Sequence, residues 1–110
     1  MEPVSQPPLQ IDPQELQQRL AAGDKPLLLD VRAPQELLVE GAIAGVVNIP
    51  LDQLPARVQE LPAGAEIVAV CKSGMRSANA AQWLRGTGRS ARSLLGGMNQ
   101  WKLLGLPLAK

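Results

Sequence analysis

Short apolar runs, each stopped by glycine, proline or charge, alternate along this chain with segments whose apolar residues recur at helical spacing. The runs lie in "PLLLDVRAP", "AGVVNIPL" and "AEIVAV", with a weaker one in "RSARSLL" and a short apolar stretch at "LQI". Unbroken hydrophobicity over so few residues is the pattern of a strand buried on both faces. Between the runs, "DPQELQQRLAAG" predicts a helix with Asp12 as N-cap, Pro13 at its first position, Glu15 at the capping-box position and Gly23 as its stop. "QELLVEG" predicts a helical turn or two closed by Gly41, and "LDQLPARVQELPAG" a helix interrupted early by Pro55, with Leu51, Leu54, Val58 and Leu61 at helical spacing. In "SGMRSANAAQWLRGTG" Ala80, Trp83 and Leu84 share one face before Gly86 ends it, and a last helix carries Met98, Trp101 and Leu104. Strand and helix thus alternate roughly five times, which predicts an α/β fold with about five parallel strands and helices on both faces of the sheet. Residues 1–8, with three prolines and no period, are expected to be a mobile arm before a single domain over 9–110.

Composition narrows the function. A net charge of +1 argues against a strongly basic nucleic-acid surface, and two Trp without any Phe or Tyr leave no stacking platform for single strands. The single cysteine precludes an internal disulfide, and the absence of histidine removes Ser-His-Asp and Cys-His catalysis along with the usual partners of a cysteine zinc site. No metal or other cofactor is expected. "MEPVSQPPLQ" lacks the charge and apolar run of a secretory leader, and no segment has the length of a membrane span, so the expected location is a reducing cytoplasm. A nucleophile here would have to be activated without an imidazole.

The candidate is Cys71, which follows the last residue of the "AEIVAV" strand and precedes Lys72, Ser73, Gly74, Met75, Arg76 and Ser77. In open α/β sheets ligands bind beyond the carboxyl ends of the strands. A glycine-containing loop leading into a helix turns successive backbone N–H groups inward and ends on the positive pole of the helix, which makes a cradle for an anion. A thiolate would be stabilised there, and Lys72 and Arg76 would add to the effect. The competing interpretation is an inert buried cysteine, but a core residue has no need of a glycine turn flanked by cations. For Ser73 and Ser77, capping of the following helix competes with substrate contact. Asp30 and Arg32, at the end of the "LLLDV" strand, are expected on the same rim.

These residues carry a resemblance. "LLLDVRAPQEL", "EGAIAGVVNIPLDQL", "CKSGMRSANAA" and "LLGGMNQWKLLGLPL" resemble, in order and spacing, four blocks of the single-domain rhodaneses, from about Ile11 onward. The resemblance implies the three-layer rhodanese-like fold and sulfur transfer. It gives Cys71 the role of attacking the outer sulfur of a donor such as thiosulfate and carrying it as a persulfide to a thiophilic acceptor. The loop from Lys72 to Ser77 would hold the persulfide, Lys72 and Arg76 would draw in the anionic donor, and Asp30 and Arg32 would support loop and rim. Simple pairing of Arg32 with Glu36 at helical spacing is the alternative for that arginine. Where many members read Gly-His-Ile-Pro-Gly, this chain has Gly41, Ala42, Ile43, Ala44 and Gly45, and the sulfur chemistry does not require that histidine. Gly96, Gly97 and Trp101 are read as structural.

Two rivals share the fold. A cysteine phosphatase would have five residues between Cys and Arg, whereas Cys71 and Arg76 enclose four, a tighter ring better suited to sulfur than to a tetrahedral phosphate. A non-enzymatic docking module is the other, although such copies often lack the cysteine kept here. A protein could also serve as persulfide donor or sulfur-carrier acceptor, and the basic run Arg85, Arg89 and Arg92 is either a face for an acidic partner or solvated surface.

Overall fold

The computed structural model describes residues 6–109. Five strands form one wholly parallel sheet: β1 (Gln10–Ile11), β2 (Leu27–Asp30), β3 (Val47–Asn48), β4 (Glu66–Val70) and β5 (Ser90–Leu94), in the order β1-β5-β4-β2-β3. The helices between them are α1 (Pro13–Ala21), α2 (Pro34–Glu40), α3 (Leu54–Arg57) and α4 (Met75–Gly86), and α5 (Gly97–Leu103) follows β5. None of them is long and apolar enough to cross a membrane.

The period of two along each strand sorts the core into two layers. Leu29, Ile67, Ala69, Cys71 and Ala91 pack with Leu54, Leu61, Ala80, Ala81 and Leu84, on the side of α3 and α4. Leu28, Val68, Val70 and Leu94 pack on the opposite side with Leu16 of α1 and Met98 and Trp101 of α5. Full burial of apolar side chains of this size contributes about 1.5–3 kcal/mol each. Trp101 is buried as expected, its indole N–H donating to Pro107 O at 2.8 Å.

Local chemistry sets most boundaries. Asp12 caps α1, but its carboxylate accepts from Gln14 N at 2.9 Å and no reciprocal bond from Glu15 completes a capping box. Three expectations need correction. The helix expected around Pro55 is a 3-10 turn over Leu51–Gln53, one α-turn and a second 3-10 turn over Val58–Glu60. Pro55 lies in the first turn of α3, where its missing N–H breaks no bond. Trp83 is 39% exposed, because Ala81 rather than Trp83 fills the core beside Ala80 and Leu84. Leu104 is also 39% exposed, as the residue that caps α5.

The expected arm falls partly outside the described residues. Within them, the backbone of Pro7 and Pro8 accepts from Arg85 and Arg92, and the Gln6 amide donates to Arg89 O at 3.3 Å. Arg92 is buried and also donates to Gln10 O at 2.9 Å, fastening the edge strand β1. All three arginines of the basic run therefore bond to the chain's own backbone, Arg89 at the long distance of 3.5 Å to Val58 O, where the sequence suggests solvent or a partner.

Candidate functional site

Cys71 is the first residue beyond β4 and keeps the strand's parity, so its side chain points toward α4 with Ile67 and Ala69. The chain then turns at once. Gly74 is the N-cap of α4 at φ +100°, a left-handed conformation that glycine adopts without a steric penalty. This turn aims backbone donors at the sulfur: Gly74 N–H lies 3.1 Å and Ser77 N–H 3.3 Å from Cys71 Sγ, and Ser77 Oγ lies 3.4 Å from it. Burial pushes the Cys71 thiol up, while the Ser77 hydroxyl and the amides of Ser77, Gly74 and Ser73 together pull it further down, leaving it below the ordinary cysteine value. The cradle inferred from the sequence is thus built of dipoles around a fully enclosed sulfur.

The cradle has a floor that belongs to another part of the chain. Met98 N donates to Cys71 O at 2.8 Å and Asn99 N to Lys72 O at 2.9 Å, so the first turn of α5 fixes the loop from below. The approach is possible because position 97 has no side chain: a Cβ on Gly97, at φ +60°, would fall 2.4 Å from Cys71 O and 2.6 Å from Lys72 O. Read from sequence as the glycine of a tight turn, Gly97 is also the point of contact between two loops.

Both loop cations have carboxylate partners on α2. Arg76 Nη1 and Nη2 donate to the two oxygens of Glu36 at 2.8 and 2.9 Å, and Lys72 Nζ lies 3.7 Å from Glu40. The Arg76 guanidinium, set against the cost of burial and aided by the Ala33 amide, holds the Glu36 carboxyl down at about 2. Ser73 and Met75 are exposed, whereas Ser77 is buried and bonds within the loop rather than capping α4.

Asp30 and Arg32 form a fully buried pair at 2.7 Å, with Asp30 also accepting from Arg32 N and Nε at 3.1 and 2.9 Å. Arg32 therefore pairs with Asp30 and not with Glu36, and its other bond, to Gly41 O at 2.9 Å, ties the end of β2 to the end of α2. Asn48 Nδ2 donates to Asp30 O and Arg32 O, both at 2.9 Å, completing the rim. Beside it a cleft of about 340 Å³, lined by Val31, Ala33, Pro50, Leu51, Asp52 and Arg76, opens against the loop.

Sequence alone singles out none of Glu36, Glu40, Asn48 and Ser93 for this site. Glu36 stands forty positions from Arg76. Ser93, on β5, lies with its hydroxyl 2.7 Å from that of Ser77. The parity of an adjacent strand would have found Ser93, once β5 was known to lie beside β4.

A family model, Rhodanese-like domain, matches residues 12–104. A sulfurtransferase of Allochromatium vinosum is 38% identical over 101 residues, covering 90% of this chain and 92% of that protein. The adenylyltransferase and sulfurtransferase MOCS3-1 of Zea mays is 34% identical over 87 residues, which span 72% of this chain and 18% of that protein. Among solved structures, a rhodanese-related protein of Thermoplasma volcanium superposes with a TM-score of 0.84 at 31% identity, covering 91% of this chain and 96% of that one.

Proposed function

This chain is a member of the rhodanese-like domain family, and from that premise we propose that it is a sulfurtransferase working through a persulfide on Cys71. The observation that carries the reading is the convergence of the Gly74 and Ser77 amides and the Ser77 hydroxyl on one sulfur. That arrangement favours a thiolate without histidine, and the same donors suit a persulfide anion.

With thiosulfate as donor, the Cys71 thiolate attacks the outer sulfur, and the donor's S–S bond breaks with its electron pair leaving on sulfite. The product is a Cys71 persulfide whose outer sulfur bears the charge. A thiophilic acceptor then attacks that outer sulfur and bonds to it, while the bond between Cys71 Sγ and the outer sulfur breaks with its electron pair returning to Cys71 as thiolate. The cysteine ends as it began and no outside oxidant is required. Because Cys71 is fully covered while Lys72 and Ser73 are exposed, transfer requires the outer part of the loop to yield to the donor.

The donor is thiosulfate or a persulfide, and either partner can be a protein; the likeness, at 32% identity over 93 residues, to a Bacillus subtilis protein named as a putative sulfur carrier supports a sulfur-carrier partner. Asp30 and Arg32 hold the rim, and Lys72 and Arg76 meet an anionic donor only in exchange for Glu40 and Glu36. Intact mass after thiosulfate, with and without a thiol reductant, tests the proposal. The expected result is a reductant-sensitive gain of one sulfur atom that Cys71→Ser lacks. An unchanged mass with thiosulfate and with small persulfide donors, while Cys71 remains open to alkylation, would overturn it in favour of docking.

A further inference from the structure

The hydroxyl of Ser93 has no part in the sulfur chemistry as described, yet it is fully buried one strand away from it. β5 pairs with β4 so that Ser93 lies opposite Ala69, and its parity is that of Ala91, which faces α4. Ser93 therefore points to the same side of the sheet as Cys71. Its closest polar neighbour is Ser77 Oγ at 2.7 Å, and the next is Gly74 O at 3.5 Å.

Each hydroxyl has one proton to give. Ser77 has three polar neighbours: Cys71 Sγ at 3.4 Å, Gly74 O at 3.2 Å and Ser93 Oγ at 2.7 Å. Gly74 O already accepts from Ala78 N at 3.1 Å, the ordinary helical bond. When Cys71 carries its proton, the thiol can donate to Ser77, which passes its own proton on to Gly74 O or to Ser93. When that proton leaves to solvent, the sulfur becomes an acceptor and the Ser77 proton is needed there. Ser93 then has one short direction in which to donate, toward Ser77.

We propose that Ser93 is a positioning residue for Cys71: it donates to Ser77 Oγ and so turns the Ser77 proton toward the sulfur, forming a directed chain from Ser93 through Ser77 to the thiolate. Donation into Ser77 also strengthens the hydrogen bond that Ser77 makes to the sulfur, by about 10–30% in condensed-phase terms. The other charged groups near the sulfur do not duplicate this. Lys72 and Arg76 on the loop and α4 are paired with Glu40 and Glu36 of α2, and Asp30 at the end of β2 is closed by Arg32. From β5 itself the charged neighbour Arg92 has the opposite parity and bonds to Pro8 O and Gln10 O.

The inference rests on reading Cys71 as the nucleophile, but its test uses no sulfur donor. The pH dependence of Cys71 alkylation by iodoacetamide, followed by mass, is measured for the unaltered chain, Ser77→Ala, Ser93→Ala and the double variant. The midpoint is compared, because a change in access moves only the plateau. Ser77→Ala is expected to raise the midpoint and lower the rate on the acid side about tenfold. Ser93→Ala should move it the same way, with about a twofold loss of rate. The double variant should match Ser77→Ala alone, since Ser93 acts through Ser77. An unmoved midpoint in Ser93→Ala, or additive shifts in the double variant, overturns the proposal. A second measurement needs no variant: in the unaltered chain the 13Cβ resonance of Ser93 should titrate with the midpoint of Cys71, and a flat Ser93 resonance overturns the proposal as well. A chain that passes both tests yet gains no sulfur from any donor keeps this inference and loses the functional one.

Discussion

Two neighbouring strands end in the same local construction and use it for different ends. After β4, a left-handed Gly74 opens α4; after β5, a left-handed Gly96 at φ +74° opens α5. In both, the first helical turn offers amides that have no intrahelical partner. At α4 those amides meet a side chain, the sulfur of Cys71, whereas at α5 they meet the carbonyls of Cys71 and Lys72. A sulfur held by amides can change its charge and its covalent state, but a carbonyl cannot. The first turn can therefore serve the chemistry proposed for Cys71 because the second one fixes the backbone beneath it.

Substitutions at the two turns should separate these roles. The largest effect is expected from Gly97→Ala, which combines a left-handed backbone with overlap on two carbonyl oxygens and should cost about 3 kcal/mol. Urea unfolding would show it, and Cys71 would lose its low thiol midpoint along with its floor. Gly74→Ala meets Gly96 N at a tolerable 3.2 Å but keeps the left-handed strain, so a cost of about 1–2 kcal/mol is expected. Its alkylation midpoint should rise more than its stability falls, since the amide of residue 74 is itself a sulfur ligand. Equal damage from both substitutions would erase the distinction between a reactive turn and a supporting one.

The smallest effect concerns the tether from α2 to the first turn. Glu36 has its carboxyl lowered from 4.5 to about 2 by Arg76, so the pair contributes stability that is present above about pH 4.5 and is lost as pH falls toward 2. Glu36→Gln should therefore cost about 0.5–1 kcal/mol at pH 7, with the gap to the unaltered chain closing as the urea midpoints are followed to pH 2.5. A gap that stays constant with pH would mean that packing, not charge, ties α2 to the loop.

The strands and the turn that carries Cys71 are legible because each is written locally. "AEIVAV" followed by Cys71 and Gly74 contains its own strand, its own turn and its own helix start. What escaped depends on which segments the fold brings side by side. Ser93 sits in an unremarkable "RSARSLL", and its relation to Ser77 exists only through the register of β5 on β4. From sequence the partner of Glu36 is Arg32, four places back, but an arginine forty places ahead reaches it with both terminal nitrogens. Charge is usually on the surface, which is where the sequence puts Arg92, yet the backbone of β1 and of the segment before it gives the buried guanidinium two acceptors. Trp83 shared a helical face with Ala80 and Leu84 on paper, but the small Ala81 occupies that place against the sheet.

The floor beneath the cradle also fixes when, during folding, the surroundings of the Cys71 sulfur take shape. Ile11 of β1 waits for Leu94 of β5, a pairing across most of the described chain, and the carbonyls of Cys71 and Lys72 wait for Met98 and Asn99. Long-range closures of this kind are slow to form compared with a helix or a turn. As the chain leaves the ribosome, the segment from Glu66 to Gly86 can form its helix and pair its strand with β2 while its loop still lacks its bonds with Ser93, Met98 and Asn99. The thiol would then keep the reactivity of an ordinary cysteine until α5 arrives, and the assembled site would come into being among the last events of folding.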